Sequence, residues 1–207
     1  FIHDKTFSAA GGADVDDATQ YIIALQACLL TLNLGEDSYR GWSEIILYPD
    51  EFLRDLEEID EAGVVHRSRD ILVGESWHGG PLVLSIADVE TSGQADGVNV
   101  VLHEFAHKLD MLNGDANGFP PLHRGMDAAA WASDFSAAYE DLCARVDAGE
   151  DTAIDPYATA NPAEFFAVLT EVFFETPRLL DAEYPAIYRQ LQQFYRQHPL
   201  ARLEAHA

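Results

Sequence analysis

Cysteine is nearly absent from this chain of 207 residues: Cys28 and Cys143 are the only two, too few for a disulfide framework. A reducing, cytoplasmic setting is therefore expected, with a single disulfide as the alternative. Cys28, set in an apolar stretch, should behave as a small core residue. Basic residues are also scarce, 12 Lys and Arg against 36 Asp and Glu, for a formal net charge of -24. Such a surface repels phosphate backbones, which argues against direct nucleic-acid binding and favours basic partners. It also repels itself, a destabilisation that salt relieves. No apolar run reaches the roughly eighteen residues needed to cross a bilayer. Residues 22–34 come nearest but are interrupted by Gln26, Thr31 and Asn33, so no membrane association is expected. No secretory signal is visible, and because Phe1 stands where an initiator Met would, further residues upstream are expected.

What is present is enough apolar residue, 48% of the chain, to bury a sizeable core, and a single domain over residues 1–207 is the expectation. Within it, residues 1–98 read as helix plus sheet and residues 99–207 as helices carrying the functional groups. Residues 1–13 look like a loosely ordered arm. Asp14 is a candidate cap for a helix over residues 15–34 that ends at Gly35, its apolar later half implying packing on more than one side. The run E-I-I-L-Y at 44–48 reads as a strand. Residues 52–62 suit a short acidic helix or a loop, with E-E-I-D-E as a solvated face. Strands are expected near residues 64–67 and 70–75, and again over 82–86 after the turn W-H-G-G-P, where Trp77 and His78 are candidates to line a cleft. Downstream, Asp127 should cap a helix over residues 128–148 with Trp131, Phe135, Ala138, Leu142 and Val146 as a buried stripe. A helix opening near Glu164 should run to Glu175, and a terminal helix should span residues 181–198 until Pro199 ends it.

The chemistry concentrates in N-V-V-L-H-E-F-A-H-K-L-D-M-L-N, residues 99–113. This stretch is apolar nearly all round, as a helix buried within a domain must be. Residues four apart share a helical face, so His103 and His107 aim their imidazoles at one point, where a divalent metal can sit. Glu104, one residue round, is placed to take a proton from a water there. Buried histidines and carboxylates must be paired or coordinated to offset desolvation, and one metal satisfies all three together.

Catalytic zinc takes three protein ligands and leaves a fourth position open. Two carboxylates compete for the third place. Asp110 shares the face of His103 and His107, but its short side chain would strain to reach the same ion. Glu164 is longer and comes from an independent helix, N-P-A-E-F-F-A-V-L-T-E-V-F-F-E. Glu164 is the favoured ligand, with Asp110 as an acceptor orienting a ligating imidazole. Glu171, two turns after Glu164, is placed to support a ligand histidine in the same way. Tyr157, seven residues before Glu164 in a Pro-rich loop, is either an oxyanion donor or a packing residue. The L-V-L-S-I strand precedes the metal helix, and Leu82, Val83 and Leu84 would bind substrate if one backbone edge is free. His123, in the Gly, Asn and Pro rich loop 113–125, is a spare candidate ligand or substrate contact.

The blocks H-E-F-A-H-K-L-D at 103–110, A-N-G-F-P-P-L at 116–122 and N-P-A-E-F-F-A-V-L-T-E-V-F-F-E-T-P at 161–177 resemble the Mlc titration factor A family. These are bacterial zinc metallopeptidases related to the catalytic domain of anthrax lethal factor. The resemblance extends to A-C-L-L-T-L-N-L-G at 27–35, Y-P-D-E-F at 48–52 and G-P-L-V-L-S at 80–85. It implies a zincin-like α+β fold, with a small mixed sheet packed on the active-site helix and further C-terminal helices. It also implies one zinc ion on His103, His107 and Glu164, Glu104 as general base, and a lethal-factor-like pairing of Tyr157 with Glu164. Two functional readings follow. One is a zinc-dependent peptidase, aminopeptidase-like, with peptide substrates. The other is a regulatory binding protein that sequesters a transcriptional repressor, with catalysis secondary or absent.

Overall fold

In the computed structural model, residues 1–50, 52–59, 65–72, 74–76 and 79–205 are described, those between 52 and 76 by backbone alone. Residues 1–13 are not a loose arm throughout: Thr6–Ala9 forms strand β1, which pairs in parallel with β2, Glu44–Tyr48, placing Phe7 opposite Ile45. Parallel neighbours need a crossover, and helix α1, Asp17–Thr31, supplies it. Its cap is Asp16, whose carboxylate accepts from the Thr19 backbone N–H at 2.8 Å, two residues beyond the expected Asp14. One face of α1 buries Ile23, Ala27 and Leu30. The opposite face leaves Tyr21, Leu25, Cys28 and Leu32 exposed, so neither packing on several sides nor a core thiol at Cys28 holds.

Residues 52–62, read as acidic helix or loop, contain strand β3, Phe52–Ile59, antiparallel to β4, Val65–Leu72. Glu and Asp have low strand propensity, but pairing to a neighbouring strand overrides it. The two short strands expected at 64–67 and 70–75 are this continuous β4 followed by β5, Gly74–Ser76. Trp77 and His78 lie outside the described residues. Strand β6, Leu82–Ser85, then completes a four-stranded sheet in the order β1-β2-β6-β5, with β1, β2 and β6 parallel and β5 antiparallel. The fold is thus mixed α+β.

The expectation for Leu82, Val83 and Leu84 is corrected here. β6 bonds to β2 along one edge and to β5 along the other, so it has no free edge for a peptide. All four of its side chains are buried, as an L-V-L-S run between two layers requires. The edge on this side of the sheet belongs to β5.

Beyond the sheet the chain is helical. After β6 come α2, Ile86–Thr91, capped by Ser85, and α3, Val100–Asp110, capped by Asn99. Helix α4, Ala128–Asp147, starts at the expected cap Asp127 and buries Trp131, Phe135, Ala138 and Leu142. Helix α5, Pro162–Glu175, is capped by Asn161. In place of the single helix expected over 181–198 stand the end of α6, Pro177–Glu183, and α7, Pro185–Tyr195, followed by a further helix α8, Pro199–Ala205. Each begins on a proline, which lacks only an N–H that the first turn leaves unbonded, so these prolines restart helices, Pro199 included. α3 lies at the centre, against α1, α5, β5 and β6. Among the described residues no helix is long and apolar enough to cross a membrane.

Candidate metal centre

Two helices build the site. α3 presents His103 and His107 four residues apart, and α5 presents Glu164 in its first turn, where a carboxylate is favoured by the helix dipole. The helices are tied by Glu171 and Glu175, themselves four apart on α5. Glu171 accepts from the Asn99 backbone N–H, and Glu175 accepts from the Asn99 side-chain amide at 2.7 Å and from Ala95 N–H at 2.7 Å. Asn99 in turn caps α3 through Leu102 N–H at 2.9 Å.

This clamp brings three donor atoms together. His103 Nε2 lies 2.9 Å from Glu164 Oε2, His107 Nε2 lies 3.3 Å from the same oxygen, and the two imidazole Nε2 atoms are 3.2 Å apart. Among the described residues these three form the one cluster with metal-ligand spacing. A tetrahedral site with bonds of about 2.0–2.1 Å has ligand-to-ligand edges of roughly 3.3 Å, which the triangle approaches on every side. Two imidazoles and one carboxylate are also one of the donor sets that hold catalytic zinc. The residues therefore fit a divalent ion.

The surroundings fix the ligands from behind. Glu171 Oε1 bonds His103 Nδ1 at 2.7 Å, which leaves Nε2 to face the cluster centre. Burial would lower the His103 pKa, but the bonds to Glu164 and Glu171 outweigh it and push the imidazole up to about 10 in the metal-free site. Burial works to raise Glu164, yet its bonds with His103 and His107 hold it far below the ordinary carboxylate range. Glu104 is buried beside them, its Oε2 has no hydrogen-bond partner among the described residues, and desolvation raises its pKa despite the two histidines. A buried carboxylate oxygen left without a partner and with a raised pKa marks a candidate functional position.

Tyr157 sits on a 3-10 turn, Pro156–Thr159, with its ring 6.1 Å from that of His103 and more than half its surface exposed. Partial burial and the nearby Glu164 and Glu104 charges push its phenol up to about 12, so it remains a hydrogen-bond donor at neutral pH.

Two other candidates go elsewhere. Among the described residues Asp110 makes no hydrogen bond to an imidazole: its Oδ2 accepts from the Asn117 and Gly118 backbone N–H groups, each at 2.7 Å, while Oδ1 and His107 Nδ1 have no partner there. The reason is local, since the chain turns back after α3 and offers two backbone donors at closer range. His123 binds the Phe194 carbonyl at 2.7 Å and stacks on that ring, away from the cluster. Sequence reasoning overlooked Asn99 and Glu175, although an Asn before an apolar run is a cap signal and Glu171 and Glu175 share a helical face. It also overlooked Lys108, which is buried, donates to Gly80 O at 2.9 Å and lies 4.8 Å from the Trp42 ring centre, tying α3 to the turn before β6.

Compared with known families, residues 1–196 match the model described as glucose-regulated metallo-peptidase M90. Among individual proteins, Mlc titration factor A of Salmonella schwarzengrund is 42% identical over 212 aligned positions, covering 100% of this chain and 79% of the relative. The protein of the same name from Salmonella arizonae is 42% identical over 208 positions, covering 98% and 82%.

Proposed function

The chain belongs to the glucose-regulated metallo-peptidase M90 family, that of Mlc titration factor A, and on that premise we propose that it is a zinc-dependent peptidase acting at the amino-terminal end of peptides. The observation that carries this reading is the convergence of His103 Nε2, His107 Nε2 and Glu164 Oε2, each within 3.3 Å of the others. We read the whole chain as one zincin-like domain, with α3 as its active-site helix.

His103, His107 and Glu164 hold the ion. When bound there, it supplies Lewis acidity, polarising a carbonyl and making a water acidic enough to ionise near neutral pH. Glu104 takes the proton from the attacking water and returns it to the departing amine. Tyr157 donates its phenolic hydrogen to the oxyanion that develops on the substrate carbonyl, a bond worth on the order of 3 kcal/mol in comparable sites. Glu171 keeps His103 in the tautomer whose Nε2 is free to ligate. The carboxylates Glu104, Glu164 and Glu171 make the cleft negative, which suits the ammonium of a free peptide amino terminus. Both cysteines are unpaired, which suits a reducing compartment such as the cytoplasm.

A second activity is compatible with this one. The relatives' name supports capture of a transcriptional repressor, and a net charge of -24 would draw a basic DNA-binding surface. Glu104→Gln separates the two: zinc content stays at one per chain, peptide hydrolysis falls by about 10³-fold, within the range of a lost general base, and repressor capture in a pull-down persists. Hydrolysis at the original rate in this variant would remove Glu104 from the mechanism.

A further inference from the structure

We propose that the loop 116–119 is the strut that sets the separation between the two halves of the metal centre, and that Gly118 and Asp110 are positioning residues for Glu164. The proposal rests on the metal-centre reading above.

The imidazoles belong to α3, which ends at Asp110, and the carboxylate belongs to α5, which begins at Pro162. These two helix ends are joined through the loop. Asp110 is wholly buried, and its Oδ2 receives both Asn117 N–H and Gly118 N–H at 2.7 Å. Gly118 carries a φ of +77°, and a Cβ placed on it would fall far inside contact with the Pro162 carbonyl oxygen and 3.0 Å from its carbon. Backbone therefore lies directly on backbone, an approach only glycine permits. The other side of Gly118 is fixed too, its carbonyl accepting from Trp131 Nε1 at 3.2 Å. Asn113 and Asn117 brace the following residue, through Phe119 O at 3.0 Å and Phe119 N–H at 2.9 Å.

What the strut holds is short and direct. Pro162 is the first residue of α5, and Glu164 follows two positions on, its own N–H on the Asn161 cap at 3.0 Å. Pushing Pro162 outward moves the first turn, and Glu164 Oε2 moves with it, whereas a ligand must stay within about 0.5 Å of its place. Asp110 thus acts on the centre from the end of α3 through the loop and α5, not through an imidazole.

The test uses cobalt(II) as a visible probe in the full chain. Gly118→Ala is compared with Gly125→Ala, because Gly125 has a φ of +102° with nothing within 4 Å of an added Cβ. Both variants carry left-handed strain and both should lose thermal stability without metal. Only Gly118→Ala should weaken cobalt binding, by about tenfold or more as for residues that support ligands, and alter the visible absorption band. Asp110→Asn keeps the side-chain shape while removing the charge that receives two N–H groups, and carries the test if Gly118→Ala fails to fold. Its cobalt affinity should fall by about tenfold, the lower end for residues that support ligands, with a shifted band. Gly118→Ala and Asp110→Asn binding cobalt with the affinity and spectrum of Gly125→Ala would overturn the strut. A wild-type chain that takes up no cobalt would instead overturn the metal reading on which the strut rests.

Discussion

Helices α3 and α4 both feed the core, but they bury opposite things. α4 turns Trp131, Phe135, Ala138 and Leu142 inward and keeps its charged residues toward solvent, the ordinary way a helix joins a core. α3 buries Glu104, His107, Lys108 and Asp110 among its apolar residues. Desolvating a charged group costs several kcal/mol unless it is paired, so a helix like α3 persists only where partners come from elsewhere. They do for all but Glu104: Glu164 meets His103 and His107, Glu171 meets His103, Gly80 O receives Lys108, and two loop N–H groups meet Asp110. α4 thus contributes to stability through packing, whereas α3 adds to its packing the polar groups of the proposed metal centre, held against their solvation.

That contrast can be broken in order of expected effect. Leu142→Ala, at a fully buried position of α4, should cost about 2–5 kcal/mol of folding free energy, as buried leucine truncations do, measured by urea denaturation, while the folded fraction still binds one zinc per chain. Loss of metal with no loss of stability would reverse the assigned roles. Glu171→Gln should act the other way, lowering zinc affinity by about 10- to 100-fold, because an amide holds the His103 ring less strongly than a carboxylate. Competition with a chromophoric chelator reads this change, and an affinity within twofold of wild type would remove Glu171 as the orienting group.

The third effect is that of pH. In the metal-free site the carboxylates raise His103 to about 10, so below that pH the imidazole carries a proton that metal must displace. Affinity therefore rises as pH rises, by about tenfold per unit between roughly pH 7 and 9 for one proton released per ion. Calorimetric titrations in buffers of different ionisation enthalpy count that proton. A pH-independent affinity would mean that His103 is already neutral before metal arrives.

Much of the site was legible in the chain because its signals are local. The H-E-x-x-H spacing places two imidazoles on one face whatever surrounds them, and Asn161 with Pro162 marks the start of α5. Glu171 was legible for the same reason, lying on a helix whose phase was set. What escaped depends on pairing between distant segments. β1 exists because Thr6–Ala9 finds β2 beyond a crossover helix, and β6 is interior because β5 folds back on it. The acidic residues 52–59 become a strand through their partner β4, against their own propensity. Asp110 is the instructive case: its position on the helix was clear, but its true partners, the N–H groups of Asn117 and Gly118, appear only once the loop has turned. Pro185 and Pro199 are local signals too, but of helix starts: Pro185 divides the expected helix over 181–198, and Pro199, expected to end it, opens α8.

The central claim is that side chains from α3 and α5 share one ion, and it is tested most directly by titrating zinc into the metal-free chain and into Glu164→Ala. The account predicts one high-affinity site per wild-type chain, and binding weaker by at least about 100-fold in the variant, where one of three protein ligands is gone. Equal affinity in the two proteins would contradict it, since the imidazoles of α3 would then hold metal without the helix that this structure places across from them.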